Sequence, residues 1–527
     1  MNIVFADKPA GVATHTSFGS NAPVFADRED GFVEHLASRL HRELFVAHRL
    51  DRDTSGAICF AKDKETAESL RALFVERKIN KAYLFITDRK FTRTSFEVRS
   101  RIEKRGKSYV STPATSESEE GADNALTRFT LVEEMGRFSL WRAEPVSGKP
   151  HQIRLHAASE SMPLLGDTLY GGTPFPALCL HSVSFQITPE LRTESPEPRW
   201  FRSRELLENP RLCGWVAAIE RRERLLRSYG EAFGPTDDLT VRWIHSEGDP
   251  LRAEKLGEVV SVYWFGENMP SAGEARDIER LAEIMGWKKW YLQHRGNRGK
   301  TPNAEEFRRY GEFPEKWVAS ENGLRFEFRV DSGLSPGLFL DQRQNRHWVR
   351  ENTKGLRVLN LFCYTAGFSV AAARGGAKQV VSVDLSKAFL EWGKINFALN
   401  ELSPEGHEFR AMDSREYLAW AAKKKLEFDL VICDPPSFSR SKEGLFRIEK
   451  DFDGLFMQLM KVVAPGGRLL FSSNFEGWEI EDLAKRAEKA LEKHEFSAKL
   501  GPTPSPDWDF ELPHHPRNMK SLFVTRL

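Results

Sequence analysis

Cysteine is scarce in this 527-residue chain: the five present (Cys59, Cys179, Cys213, Cys363 and Cys433) are odd in number, scattered, and never paired at metal-ligand spacing. That excludes a disulfide framework and a cysteine-based zinc site, and leaves reduced thiols of a cytosolic protein with no metal. An excess of one charge is also missing, since 77 Lys and Arg stand against 76 Asp and Glu. No overall positive field announces a nucleic-acid partner, so any such site has to be a local patch. Long apolar runs are absent too. Asp7 and Lys8 interrupt the N-terminus, and no later stretch approaches the roughly 20 apolar residues of a membrane span. A cytoplasmic protein without a membrane anchor is expected.

With 40% hydrophobic and 29% charged residues the composition is that of a globular protein. The length exceeds one ordinary core, which predicts several domains. Up to about Glu190, short β-rich runs such as Lys81–Thr87 and Phe138–Arg142 alternate with turn-forming clusters, predicting a mixed α+β domain with a mainly antiparallel sheet. The polar stretch Ser111–Asp123 reads as a surface loop. Proline and charge accumulate over Pro189–Pro210, and residues 191–211 are expected to be a linker. A small α/β middle domain is expected over 212–345, with helices at Trp215–Tyr229 and Ala275–Met285 around a β-leaning stretch at Leu239–Phe265. From 346 to 527, apolar strands at Val358–Phe362, Val380–Asp384, Leu430–Asp434 and Arg468–Ser472 alternate with helices. That pattern predicts a parallel, Rossmann-like doubly wound domain.

Two constellations carry chemistry. His48-Arg-Leu-Asp-Arg-Asp-Thr-Ser-Gly56 packs two arginines and two carboxylates into one turn. An isolated Asp-Arg pair would read as a surface salt bridge worth about 0–1 kcal/mol, but a string this dense argues for function. Arg49 lies two residues before Asp51, on the same side of an extended segment. Arg52 and Asp53 are expected to make structural salt bridges.

These residues resemble the RluA-type pseudouridine synthases, as do Asp7-Lys-Pro-Ala-Gly11, Lys81-Ala-Tyr83, Gly148-Lys-Pro-His-Gln-Ile-Arg-Leu-His156, Gly166-Asp167 and Tyr170-Gly171. The resemblance implies Asp51 as catalytic carboxylate, Arg154 as its charge partner, Tyr83 under the uracil ring, and Arg49 holding open the site of a flipped nucleotide. It implies no cofactor for this domain. Uridine isomerisation breaks the N1–C1′ bond and rejoins the base through C5, so an ionised carboxylate must act at the sugar in a dry pocket; attack at C1′ and removal of the 2′ proton both remain open. A domain starting almost at Met1 leaves no room for the S4 RNA-binding module of many relatives, so targeting is expected from elsewhere in the chain.

The second constellation begins at Val358-Leu-Asn-Leu-Phe-Cys-Tyr-Thr-Ala-Gly-Phe-Ser369, a strand, turn and helix start that lacks G-x-G-x-x-G. With Gly367 the only glycine in the turn, a pyrophosphate would fit poorly and the methionine part of S-adenosylmethionine better. Asp384 and Asp413 follow at successive strand ends, and then Asp434-Pro-Pro-Ser-Phe438. A rigid turn of this kind places an acid beside a methyl donor and offers Phe438 to a flipped base. Together with Ser332-Gly-Leu-Ser-Pro-Gly-Leu-Phe-Leu-Asp-Gln-Arg-Gln-Asn-Arg346, these motifs resemble the RlmI/RlmK-type class I rRNA methyltransferases. The resemblance implies S-adenosylmethionine as cofactor, held by Asn360, Phe362, Tyr364, Gly367, Asp384, Asp413 and Asp434. It implies a base of large-subunit rRNA held by Asp434, Pro435, Pro436 and Phe438, and Asp434 acting in catalysis.

Cytosine C5 methylation needs a cysteine that adds to C6. The late strand has serines and Asn474 there instead, and Cys433 reads as buried packing; Asn474 resembles the guanine-methylating branch, which implies guanine N7 or N2 as the target. A C5-cytosine enzyme, or an RNA-binding assembly factor with one inert site, stands as the alternative. Basic residues flanking Trp290 and Tyr291, among them Arg295 and Arg298, are expected to grip RNA.

Overall fold

The computed structural model describes residues 2–16, 31–106, 108–113, 124–229, 239–245, 249–296, 307–330, 335–441, 444–504, 509–510 and 519–527. The chain divides into two compact units: Met1–Phe18, Glu29–Gly234 and Pro270–Trp287 form one, and Gly19–Arg28, Pro235–Met269 and Lys288–Leu527 the other.

The first unit is built on a ten-stranded sheet. Its main path runs Ile3–Lys8, Ser55–Ala61, Leu180–Gln186, Asn80–Thr87, Phe138–Pro145, Asn124–Met135, Ser95–Arg105, Ser108–Pro113. Neighbours along it are antiparallel except for the short parallel pairing of Ser55–Ala61 with Leu180–Gln186. Helices Phe32–Arg39, Lys64–Val75 and Gln152–Ser159 accompany the sheet. Phe85, Phe129 and Trp141 form one core, and Cys59, Leu70 and Phe185 another. Gly56 ends the charged motif at φ 112, where a Cβ would stand 2.2 Å from the Ser182 carbonyl, so only glycine fits.

The expected linker is ordered structure. Residues 191–211 hold the strand Arg192–Glu194, a turn of 3-10 helix at Arg199–Arg202 and the helix Arg204–Glu208. Trp200 and Phe201 are buried there, two large apolar anchors inside a polar composition. The expected middle domain is also divided. Its helix Pro210–Tyr229 belongs to the first unit, where Arg224 and Arg227 bind the two carboxylate oxygens of Asp7 at 2.7 and 3.0 Å. The helix Ala272–Ile284, started by a Ser271/Glu274 capping box, groups with it.

The second unit contains a five-stranded sheet (Thr240–His245, Leu251–Leu256, Val259–Trp264, Trp290–His294, Phe307–Tyr310) and a hairpin of Lys316–Glu321 and Leu324–Arg329. Its seven-stranded sheet runs Glu408–Ala411, Gln379–Asp384, Arg357–Leu361, Phe428–Cys433, Val463–Ser473, Lys520–Arg526, Ala498–Pro502. The first five strands are parallel and Lys520–Arg526 is antiparallel to both neighbours. The order reverses at Arg357–Leu361, which puts the switch-point crevice at that strand's C-terminal end.

Among the described residues, no helix is long and apolar enough to cross a membrane.

Candidate active sites

In the first unit, a cleft of about 1430 Å³ is lined by Arg49, Asp51, Lys81, Tyr83, Arg99, Lys149, His151 and Arg154 among others. With His48 and Arg77 also in the lining, one carboxylate faces eight cationic or imidazole groups, the polarity an RNA strand requires. Asp51 sits on a turn closed by Thr54 N–H donating to its carbonyl at 3.1 Å. Lys8, fully buried, explains the early lysine-proline motif: its ammonium donates to the carbonyls of Pro9, Arg52 and Thr54 at 2.8, 2.9 and 2.9 Å and so pins the turn that carries Asp51. Burial lowers its pKa to about 7, against the pull of Asp53 and Asp51.

Arg154 reaches Asp51 at 3.8 Å, but its short bonds go to Asp167, at 2.7 Å from both Nε and Nη2. The expected charge partner is therefore shared between two carboxylates and held chiefly by the second. Tyr83 lines the same cleft, and burial together with the Asp51 charge pushes its phenol above the usual range. Burial likewise lowers Lys81 to about 8. Arg49 is exposed and lines the cleft with Asp51, and residues 48–51 are not in a strand.

In the second unit, the strand Arg357–Leu361 leads through residues 362–366 into the helix Gly367–Arg374. The turn's left-handed positions are Phe362, Tyr364 and Ala366 (φ 54, 49 and 62). Gly367 serves packing instead: a Cβ there would stand 2.8 Å from Leu338 Cδ1. Three non-glycine residues in that region store strain, which persists only where the surroundings over-determine it. Here Tyr364 N–H donates to Asp384 at 2.9 Å, Tyr364 hydroxyl to the Ser335 carbonyl at 2.8 Å, and Thr365 hydroxyl to the Gly337 carbonyl at 2.5 Å. Asp384 also accepts Ser386 N–H at 2.9 Å, and burial raises its pKa against both bonds. Each carboxylate oxygen keeps a lone pair for a ribose hydroxyl. Leu385 beside it is 59% exposed, an apolar surface at the crevice.

Asp434 follows the strand Phe428–Cys433 and accepts the Gln342 side-chain amide at 2.9 Å. Asn345 in turn donates to Gln342 at 2.6 Å and to Ser521 at 3.2 Å. Burial and the neighbouring Asp341 charge push the Asp434 carboxyl up to about 7, against the Gln342 bond and Arg346. Pro435 is buried, Pro436 exposed and Phe438 55% exposed, while Ser437 donates to Asn474 at 2.8 Å. Cys433 is buried in the core and its thiol is pushed well above its ordinary value by burial and by Asp434.

Other expected site residues have protein partners of their own. Asn360 is buried and its amide donates to Ser369 at 2.9 Å, a strand-to-helix tie. Asp413 caps the helix Ser414–Lys423 through Arg415 N–H at 2.8 Å and pairs with the Arg415 guanidinium. Trp290 and Tyr291 are buried, Trp290 stacked on Tyr310 at 3.8 Å, so neither is a platform for RNA bases. Arg295 lies over the Tyr263 ring at 4.7 Å and bonds Gln293 at 2.7 Å, and Arg298 falls outside the described residues. Sequence reading gave no role to Asp167, His151, Gln342 or Leu385. The first three stand inside motifs whose spacing was visible, but their contacts with Arg154, Asp51 and Asp434 were not.

A parallel sheet with one reversed strand, a strained loop at its switch point and a carboxylate at the end of the next strand define a class I methyltransferase fold in the second unit. The first unit holds the carboxylate-bearing cleft of a base-isomerising enzyme. The chain belongs to the S-adenosylmethionine-dependent methyltransferase family, which matches residues 242–509, and carries an RNA pseudouridylate synthase domain, matched over residues 2–159.

It is 37% identical over 281 residues to YwbD of Bacillus subtilis, named as a ribosomal RNA large subunit methyltransferase, covering 50% of this chain and 70% of that one. It is 36% identical over 211 residues to the ribosomal RNA large subunit methyltransferase K of Neisseria meningitidis, covering 40% of this chain and 59% of that relative's length. The crystal structure of SMU.776, described as a methyltransferase complexed with SAH, superposes with a TM-score of 0.52 at 26% identity, over 60% of this chain and 82% of that one.

Proposed function

We propose that this chain is a bifunctional RNA-modifying enzyme: it isomerises uridine to pseudouridine at Asp51 and methylates a guanine of large-subunit rRNA at Asp434, acting in the cytoplasm. The observation that carries it is the presence in one chain of two separately built acidic sites, Asp51 facing a cation-lined cleft and Asp434 held by Gln342 near the strained cofactor loop. At the first site the N1–C1′ bond breaks, C1′ bonds to C5, and the C5 proton is lost as N1 gains one. Asp51 acts at the sugar, Tyr83 supports the ring and Arg154 shares its charge between Asp51 and Asp167.

At the second site, Phe362, Tyr364, Gly367, Asp384 and Asp413 would surround S-adenosylmethionine, which supplies the electrophilic methyl group. Asp434 accepts hydrogen bonds from the base edge, and its raised pKa suits it to take the proton an exocyclic amine loses. Burial of Cys433 in the core favours guanine over C5 of cytosine, which requires an accessible thiolate. Methylation at N7 loses no proton and would tolerate Asp434→Asn, whereas N2 methylation would not.

Mass-spectrometric mapping of rRNA and tRNA from cells lacking this gene is the test. One pseudouridine and one methylated guanine should disappear together; complementation with Asp51→Ala should restore only the methyl group, and Asp434→Ala only the pseudouridine. Loss of a 5-methylcytosine instead would replace the guanine reading.

A further inference from the structure

We propose that His151 positions the catalytic carboxylate of Asp51, its tautomer set by Tyr170 and its backbone strained to bring the ring there; the inference rests on the pseudouridine synthase reading. Asp51 has no short bond to the guanidinium expected to orient it, because Arg154 is committed to Asp167 by two contacts of 2.7 Å and stands 3.8 Å away. His151 is the other donor at that distance, with Nε2 3.9 Å from Asp51 Oδ2.

The Tyr170 hydroxyl, which accepts the Tyr109 backbone N–H, stands 2.8 Å from His151 Nδ1, and in the proposed arrangement its own proton points to that nitrogen. A neutral imidazole that accepts at Nδ1 carries its hydrogen on Nε2, the nitrogen facing Asp51. The ring is kept neutral first by burial; Asp51 and Asp167 pull toward the charged form, and Arg154 and Arg49 oppose them. The Tyr109 ring, 5.3 Å away between centroids, and the edge of Tyr170 at 5.7 Å complete the surroundings. Catalytic donor contacts of this length commonly tighten in the substrate complex.

The backbone gives an independent reason. His151 is in the left-handed region (φ 54, ψ 17) at the cap of the helix Gln152–Ser159, without a side-chain capping bond. A non-glycine residue adopts that conformation at a cost, and such strain collects where a side chain is aimed for function. A glycine would satisfy the turn, so the ring is what the position retains.

The test uses the purified full chain on a large-subunit rRNA transcript, with the isomerisation rate followed against pH. His151→Phe should lower kcat about 100-fold with KM changed by less than about threefold, the loss expected when a reacting group is misplaced. It should also move the acid-side half-activity point to higher pH. His151→Gln, which keeps a donor near Nε2, should recover to within about tenfold of the unsubstituted rate. Tyr170→Phe, which frees the tautomer, should move the acid limb in the same direction, and it carries the test if the phenylalanine variant of His151 does not fold. An unmoved acid limb in all three, or equal losses in the Gln and Phe variants, overturns the inference alone. Absence of pseudouridine from both large-subunit rRNA and tRNA treated with the unsubstituted chain overturns the synthase reading and the inference with it.

Discussion

At the scale of single residues, Asp434 is the group whose chemistry is most exposed to pH. Its folded carboxyl titrates at about 7 against an ordinary 3.8. Between those values the unfolded chain releases a proton that the folded chain keeps, so stability falls as pH rises through that window and the loss is complete above it. Asp434→Asn should therefore raise the melting temperature above pH 7 and leave it unchanged below about pH 4. Methyl transfer by the unsubstituted chain should increase through about pH 7 if Asp434 takes a proton. A melting curve whose response to the substitution is the same at both pH values would contradict the burial argument. Asp434 was legible because an acid before two prolines after an apolar strand is a local pattern. Its partner Gln342, 92 residues earlier, was not, since nothing in a linear pattern reports a contact made by folding. For the same reason Asp51 and Tyr83 could be picked out, while the transfer of Arg154 to Asp167 had to be seen in space.

At the scale of elements, the stretch from Ser335 to Arg346 braces both loops of the second site. Its carbonyls at Ser335 and Gly337 hold Tyr364 and Thr365, its Gln342 holds Asp434, and its Arg346 makes a bidentate pair with Glu321 at 2.7 Å for each bond. Glu321 and Arg346 are both almost fully buried, so removing one partner strands the other charge. Glu321→Ala should destabilise the second unit by about 3–5 kcal/mol, and the pair Glu321→Leu with Arg346→Met by much less. Urea titration followed by tryptophan fluorescence measures both, and equal losses in the two would contradict a buried-charge origin. The parallel strands of this unit were legible to within a few residues because apolar runs bounded by turns are fixed by burial on both faces. The 191–211 segment was not, because two buried aromatics outweigh a polar average.

At the scale of the whole molecule, the sequence divided the chain by composition, and contacts divide it differently. The helices Pro210–Tyr229 and Ala272–Ile284 join the synthase unit, and the strands between and after them join the methyltransferase unit. Each unit keeps its own core and its own acidic site, so the two chemistries should be separable by single substitutions. The most direct measurement is nucleoside analysis of one rRNA transcript treated with the purified chain, its Asp51→Ala variant and its Asp434→Ala variant, each with S-adenosylmethionine. The account predicts methylated guanine without pseudouridine from the first variant and pseudouridine without methylated guanine from the second. Pseudouridine formed by Asp51→Ala, or methyl transfer retained by Asp434→Ala, would contradict it.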